Sequence, residues 1–246
     1  MDHSRSARTA ALTWSVCAVL LAASACGGGQ GAEEAGGGEG GKQDGPAAAS
    51  AEKLNEAQLV QYEDAKVVPE AGQSGAYGEL SGVARTKKLR EETELDKPEC
   101  ADATERWAAV PEVRDAPASV AVYARGDDTT LSHTLLALPA DAADKALEAA
   151  VPPEECSSYE ATMKDGGTSS YEISELDADE VADGSRAFTV KTEAQGEEVW
   201  LYALVYRNGD HLASTSIIGP DADGDYADLL TGFTESAVER EDKILT

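Results

Sequence analysis

Basic side chains are scarce in this 246-residue chain: 20 lysines and arginines stand against 47 aspartates and glutamates, a formal net charge of −27. That balance excludes nucleic acid as a partner, because phosphates need a basic surface. It equally excludes electrostatic attachment to anionic lipid heads. What it favours is solubility and self-repulsion at an exposed surface. Histidine is rarer still: there are three, and only His133 and His211 lie beyond the first 26 residues. The longest uncharged, mostly apolar run, Ala10 to Ala25, has 16 residues. That is short of the roughly 20 a helix needs to cross a bilayer.

Catalytic motifs are missing too. There is no Gly-x-Ser-x-Gly elbow. Ser50-Ala51-Glu52-Lys53 fits Ser-x-x-Lys, but it sits where linker meets domain and lacks its partner motifs. Asp221-Ala222-Asp223-Gly224-Asp225 begins like a calcium loop. Its sixth and twelfth positions are Tyr226 and Gly232, where glycine and glutamate are required, so the pattern fails and helix capping explains the aspartates. No glycine-rich phosphate loop precedes a Lys-Ser/Thr pair. His133 and His211 fall in predicted strands and, with acidic neighbours everywhere in this composition, read as solvent-facing or half-buried strand residues and not as general bases. No metal, cofactor or enzymatic activity is expected.

What is present begins with an address. Arg5 and Arg8 precede the apolar run, which ends in small residues, as in an export signal. Ala23-Ser24-Ala25-Cys26 resembles the lipobox of bacterial lipoproteins, although Ala23 stands where leucine is commoner. The resemblance implies that Cys26 carries a diacylglyceryl group and fatty-acyl chains such as palmitate, with residues 1–26 the signal segment. More than one chain is what stable anchoring requires. An ordinary secretory signal ending by chance in cysteine is the alternative. Residues 27–50 read as a linker: ten of the twenty residues from Gly27 to Pro46 are glycine. Such a segment cannot bury enough surface to offset its ordering entropy. As a coil it would hold a domain roughly 25–30 Å from the membrane. The expected location is the extracellular face of the cell membrane, with the membrane itself as a partner through Cys26.

Residues 51–246 carry the apolar content of one domain. The central stretch is Glu197 to Gly219, two β-rich runs around Asn208-Gly209, a tight-hairpin signal. In its first arm Val199, Leu201, Ala203 and Val205 share one face; Trp200, Tyr202, Leu204 and Tyr206 share the other. Both faces are apolar, which predicts a central strand covered on both sides. Further strands are predicted at Ser119–Arg125, Thr130–Leu138, Thr168–Leu176 and Arg186–Glu193. Helices are predicted from Ala51, from Cys100 to Val110, after Pro139, and from Tyr226 to Glu241. In the last, Tyr226, Leu229, Leu230, Phe233 and Ala237 form an apolar stripe expected to cover the Trp200/Leu201 strand. Residues 79–98 are polar and ambiguous. Arg85, Lys87, Lys88 and Arg90 make a local basic patch there, read either as a solvated face or as a partner site. The fold class is α+β: a mostly antiparallel sheet of five or six strands with packed helices.

With Cys17 inside the leader and Cys26 at the anchor, Cys100 and Cys156 remain. Two thiols in an exported domain point to one disulfide; two separately buried thiols are the alternative. Two cysteines without a nearby histidine fall short of a zinc site. The order of Cys100, Ala118-Ser119-Val120-Ala121, a strand, an alanine-rich helix, Cys156, more strands and a terminal helix resembles a known domain. It is similar to the extracellular sensor-like domain of mycobacterial kinases of the PknH type and of many actinobacterial lipoproteins, over roughly residues 52 to 243. The resemblance implies an antiparallel sheet with packed helices and a cleft for an envelope ligand, and transfers no catalytic residue. The aromatics Trp107, Tyr123, Trp200, Tyr202 and Tyr206 are the candidate pocket, suited to a small amphipathic ligand. The competing expectation is a docking or structural module for another envelope protein.

Overall fold

The computed structural model describes residues 46–126, 128–220 and 226–245. The leader, Cys26, most of the linker and the aspartate loop at 221–225 lie outside those residues. Helix α1 (Pro46–Ala57) starts within the stretch read as linker. Strands β1 (Gln61–Tyr62), β2 (Ala65–Val67) and β3 (Gln73–Ala76) follow, then α2 (Ser81–Glu91) and β4 (Thr93–Leu95). Two 3-10 turns, Pro98–Cys100 and Arg106–Ala109, lead to the short α3 (Pro111–Arg114). The rest is β5 (Pro117–Arg125), β6 (Thr129–Ala137), α4 (Ala140–Ala149), β7 (Ser158–Met163), β8 (Thr168–Glu175), β9 (Ser185–Ala194), β10 (Glu197–Asn208), β11 (His211–Gly219) and α5 (Tyr226–Leu245).

The fold class is α+β with an antiparallel sheet, but that sheet has eleven strands among the described residues, not five or six. Its order is β1-β2-β5-β6-β11-β10-β9-β8-β7-β4, with β3 also paired to β5. The six strands expected are all present. The five others run two to six residues and are mostly polar. Alternation needs more residues than that to be seen; tertiary pairing supplies these strands. The helix expected from Cys100 to Val110 does not form: one 3-10 turn ends at Cys100, Glu105 leaves the helical region (φ −127°, ψ 24°), a second 3-10 turn runs Arg106–Ala109, and α3 begins only at Pro111. Conversely, the ambiguous 79–98 segment holds α2, none of whose residues is buried.

The hairpin is where it was expected, displaced by one residue. Asn208 pairs with His211, so Gly209 and Asp210 make the turn. Gly209 alone of the two takes positive φ, at 60°. Asn208 is the last residue of the strand, and its amide donates to Glu241 Oε2 (3.0 Å) and Asp242 Oδ1 (3.2 Å) on α5.

Strand parity divides the core. On one face Tyr202, Leu204 and Tyr206 of β10 join Tyr123 of β5, Leu131 and Leu135 of β6 and Ile217 of β11. Leu54 and Ala57 of α1 and Leu229, Leu230 and Phe233 of α5 cover them. Each large apolar side chain buried there contributes roughly 1.5–3 kcal/mol. On the other face the cover comes in two pieces. Leu136, Val205 and Leu212 pack under α4 and Trp107. Phe188, Val190, Leu201 and Ala203 pack beside Cys100 and Cys156. Those cysteines form a disulfide, Cα to Cα 5.5 Å apart.

Candidate functional site

A cleft of about 100 Å³ opens between those two pieces of cover. Its floor is set by register. Ser132 and Thr134 of β6 lie opposite Ser216 and Ser214 of β11. Four hydroxyls therefore stand in a two-by-two patch at the middle of the sheet, all lining the cleft. Ser132 Oγ and Ser216 Oγ share a hydrogen bond of 2.7 Å. Apolar residues flank the patch: Val120 of β5 opposite Thr134, and Ala203 and Val205 of β10 opposite Ser216 and Ser214. Phe188 and Leu201 extend this border.

The outer wall is built by α2 and by the turn at Arg106–Ala109. Val83 and Thr86 of α2, Tyr77 before it, and Trp107 line the cleft. Tyr77 and Trp107 support one another with ring centroids 5.4 Å apart. Helix α2 has no apolar stripe to bury, so its ends hold it. Gln73 Oε1 accepts from Ser81 Oγ and from the Gly82 N–H, both at 3.0 Å. At the far end Arg90 pairs with Asp102 and Glu105, each at 2.6 Å. Burial pushes the Glu105 carboxyl above the usual range, while the Arg90 guanidinium pulls it down. A second depression of about 270 Å³ lies near α2 and shares Tyr77, Val83, Thr86 and Glu105 with the first.

Of the five aromatics expected to form one pocket, the structure places Trp107 alone in this cleft. Tyr123, Tyr202 and Tyr206 lie on the opposite face of the sheet, in the core under α1 and α5, with Trp200 packed against the same cluster. The reason is parity: residues 200, 202 and 206 share the face that α5 covers. Tyr123 Oη donates to the Leu59 carbonyl at 2.8 Å, which satisfies it within the core. His133 is fully buried on that face, not half-buried as its strand position suggested, and does not line this cleft. In the basic patch, Arg85, Lys87 and Lys88 are exposed while Arg90 turns to its two carboxylates. No group of three or more metal-ligating side chains exists among the described residues. No described helix is long and apolar enough to cross a membrane.

The hydroxyl patch went unread in the sequence. Its signal was there: Ser132 and Thr134, and again Ser214 and Ser216, alternate with residues that are buried. In isolation such a pattern reads as a solvated face.

No protein-family model matches the chain, and no curated protein does. Similar solved structures include two from mycobacteria. One is the extracellular domain of PknH from Mycobacterium tuberculosis, with 11% identity, 61% of this chain and 78% of that one covered, and a TM-score of 0.45. The other is an uncharacterised protein from Mycobacterium smegmatis, with 16% identity, 82% and 99% covered, and a TM-score of 0.46. The resemblance read from element order and the comparison of coordinates name the same extracellular domain.

Proposed function

We propose that this chain is an exported, lipid-anchored envelope protein whose domain binds a small amphipathic ligand in the cleft between sheet and α2, without catalysis. One observation carries the reading. Four half-buried hydroxyls stand together at the centre of a sheet face whose neighbouring residues are apolar, at the gap between its two pieces of cover, and they line the cleft there. The four are open to the cleft, where a ligand's hydroxyls can take the hydrogen-bonding positions that water otherwise fills. Native mass spectrometry of the exported protein tests this. We expect a reproducible added mass that disappears on denaturation. A clean unliganded mass, from protein purified out of a related host, would count against it and favour docking through exposed Arg85, Lys87 and Lys88.

Anchoring through Cys26 is tested separately. Changing Cys26→Ser is expected to release the protein from membranes and to abolish acyl mass. Continued membrane association of that variant, with a mass of simple peptidase cleavage, would refute the anchor.

A further inference from the structure

We infer that the cleft selects an uncharged, hydroxyl-rich ring about the size of one sugar residue. The inference rests on the cleft being a ligand site and adds the ligand's chemical class. Three observations converge on it. The first is charge. Among the described residues that line the cleft, Glu105 is the one charged side chain, and Arg90 already pairs with it. A phosphate or carboxylate would find no cation there and would face a carboxylate instead. Anionic ligands are recognised by paired or bidentate cationic donors, which this lining lacks.

The second is the kind of hydrogen bond on offer. A serine or threonine hydroxyl is one donor and two acceptor sites. In the Ser132–Ser216 pair, one hydroxyl donates to the other and the second proton is left for a partner. Thr134 and Ser214 extend the array beside them. Groups that both donate and accept are matched by groups that do the same, which means ligand hydroxyls. The third is shape. The patch is bordered by Val120, Ala203 and Val205, with Phe188 and Trp107 in the lining. A molecule with a polar edge and an apolar face fits that arrangement. The volume of about 100 Å³ is below the roughly 150 Å³ that encloses a benzene ring, so the cleft seats the hydroxyl-bearing edge of one ring and leaves the rest of it at the mouth.

The test uses the exported full chain, isotopically labelled, and follows its two-dimensional amide spectrum. The Trp107 indole resonance is assigned with a Trp107→Phe variant. The probes are methyl glucopyranoside, methyl galactopyranoside and methyl mannopyranoside, with glucuronate as a charged twin and hexanol as an apolar one. We expect at least one neutral pyranoside to move the Trp107 indole saturably and leave Trp200 unmoved. Glucuronate should bind at least tenfold more weakly. The paired variant Ser214→Ala/Ser216→Ala should weaken the pyranoside tenfold or more, since it leaves ligand hydroxyls unpartnered. Equal binding of glucuronate, or a paired variant that binds as the parent does, overturns the assignment. Hexanol binding at Trp107 with no pyranoside response overturns the ligand class and leaves the cleft reading standing. No response to any probe, with a clean unliganded mass, removes both.

Discussion

Replacing Glu241 with alanine will cost the fold about 4 kcal/mol at neutral pH, by the magnitudes known for breaking buried polar pairs. Glu241 is 1% exposed, near the end of α5. Its Oε1 lies 3.2 Å from Nε2 of His133 on β6, which is fully buried. The Tyr206 hydroxyl on β10 donates to the same oxygen, and Asn208 donates to the other. One carboxylate therefore ties a helix to two central strands and to the hairpin end. Without it, the His133 ring and the Tyr206 hydroxyl stay buried, with only a 3.2 Å contact to each other. His133 Nδ1 has no hydrogen-bond partner to fall back on. For a domain of this size each kcal/mol shifts the midpoint by roughly 2–4 °C, so a fall of roughly 8–16 °C is expected. Thermal unfolding followed by circular dichroism measures it, and a loss under about 1 kcal/mol would sink the assignment.

The same site sets an acid limb. Burial pushes the Glu241 carboxyl up, but hydrogen bonds involving His133, Tyr206 and Asn208 outweigh it and hold the group below its ordinary 4.5. A carboxyl depressed in the folded state contributes stability above its unfolded value, and that stability is lost as pH falls through the folded one. The wild-type midpoint should therefore drop as pH falls below about 4.5, where an ordinary glutamate protonates. Glu241→Gln should flatten that limb. An unchanged limb in the glutamine variant would place the acid sensitivity elsewhere.

Legibility followed length and parity. The β10–β11 hairpin was readable because long apolar runs flank an Asn-Gly pair, and α5 because five apolar residues repeat at helical spacing. The turn itself slipped by one residue because Gly209-Asp210, with positive φ at the glycine alone, serves as a two-residue hairpin turn as well as Asn208-Gly209 would, and Asn208, left in the strand, bonds Glu241 on α5. The short strands β1 to β4 were unreadable since two to four residues carry no period. Helix α2 hid for a different reason. Its two larger apolar residues, Val83 and Leu89, make no stripe, and it is held by Gln73 at one end and Arg90 at the other. The site depended on that hidden helix. Parity separated Trp200, Tyr202 and Tyr206 from Leu201, Ala203 and Val205 correctly, but not which face would be left open. Large aromatics drew attention as pocket residues, yet they bury the most area and so went to the fully covered face. The small hydroxyl residues were left on the face where cover is incomplete.

Removing the disulfide by changing both Cys100 and Cys156 to alanine will destabilise the domain by about 4 kcal/mol, the loop-entropy value for a separation of this length. The separation is 56 residues and encloses β5, β6 and α4. Those elements keep their own sheet pairing and packing, so the native state need not change at its centre. The local consequence falls where cover is thinnest. The bridge joins the turn at Pro98–Cys100 to the turn at Glu154–Cys156. Between Cys100 and the cleft wall at Trp107 lie Asp102 and Glu105, the two carboxylates that hold Arg90 and with it the end of α2. Loosening Cys100 therefore loosens the latch of the helix over the cleft. Urea unfolding of the oxidised protein and the double variant measures the global loss. Hydrogen exchange should show the steepest relative gain in 81–91 and 98–109, ahead of β10 and β11. A loss below about 1 kcal/mol would mean that the unfolded chain gains little freedom from the break. Uniform exchange across the sheet would mean that the bridge supports the whole domain and not this wall.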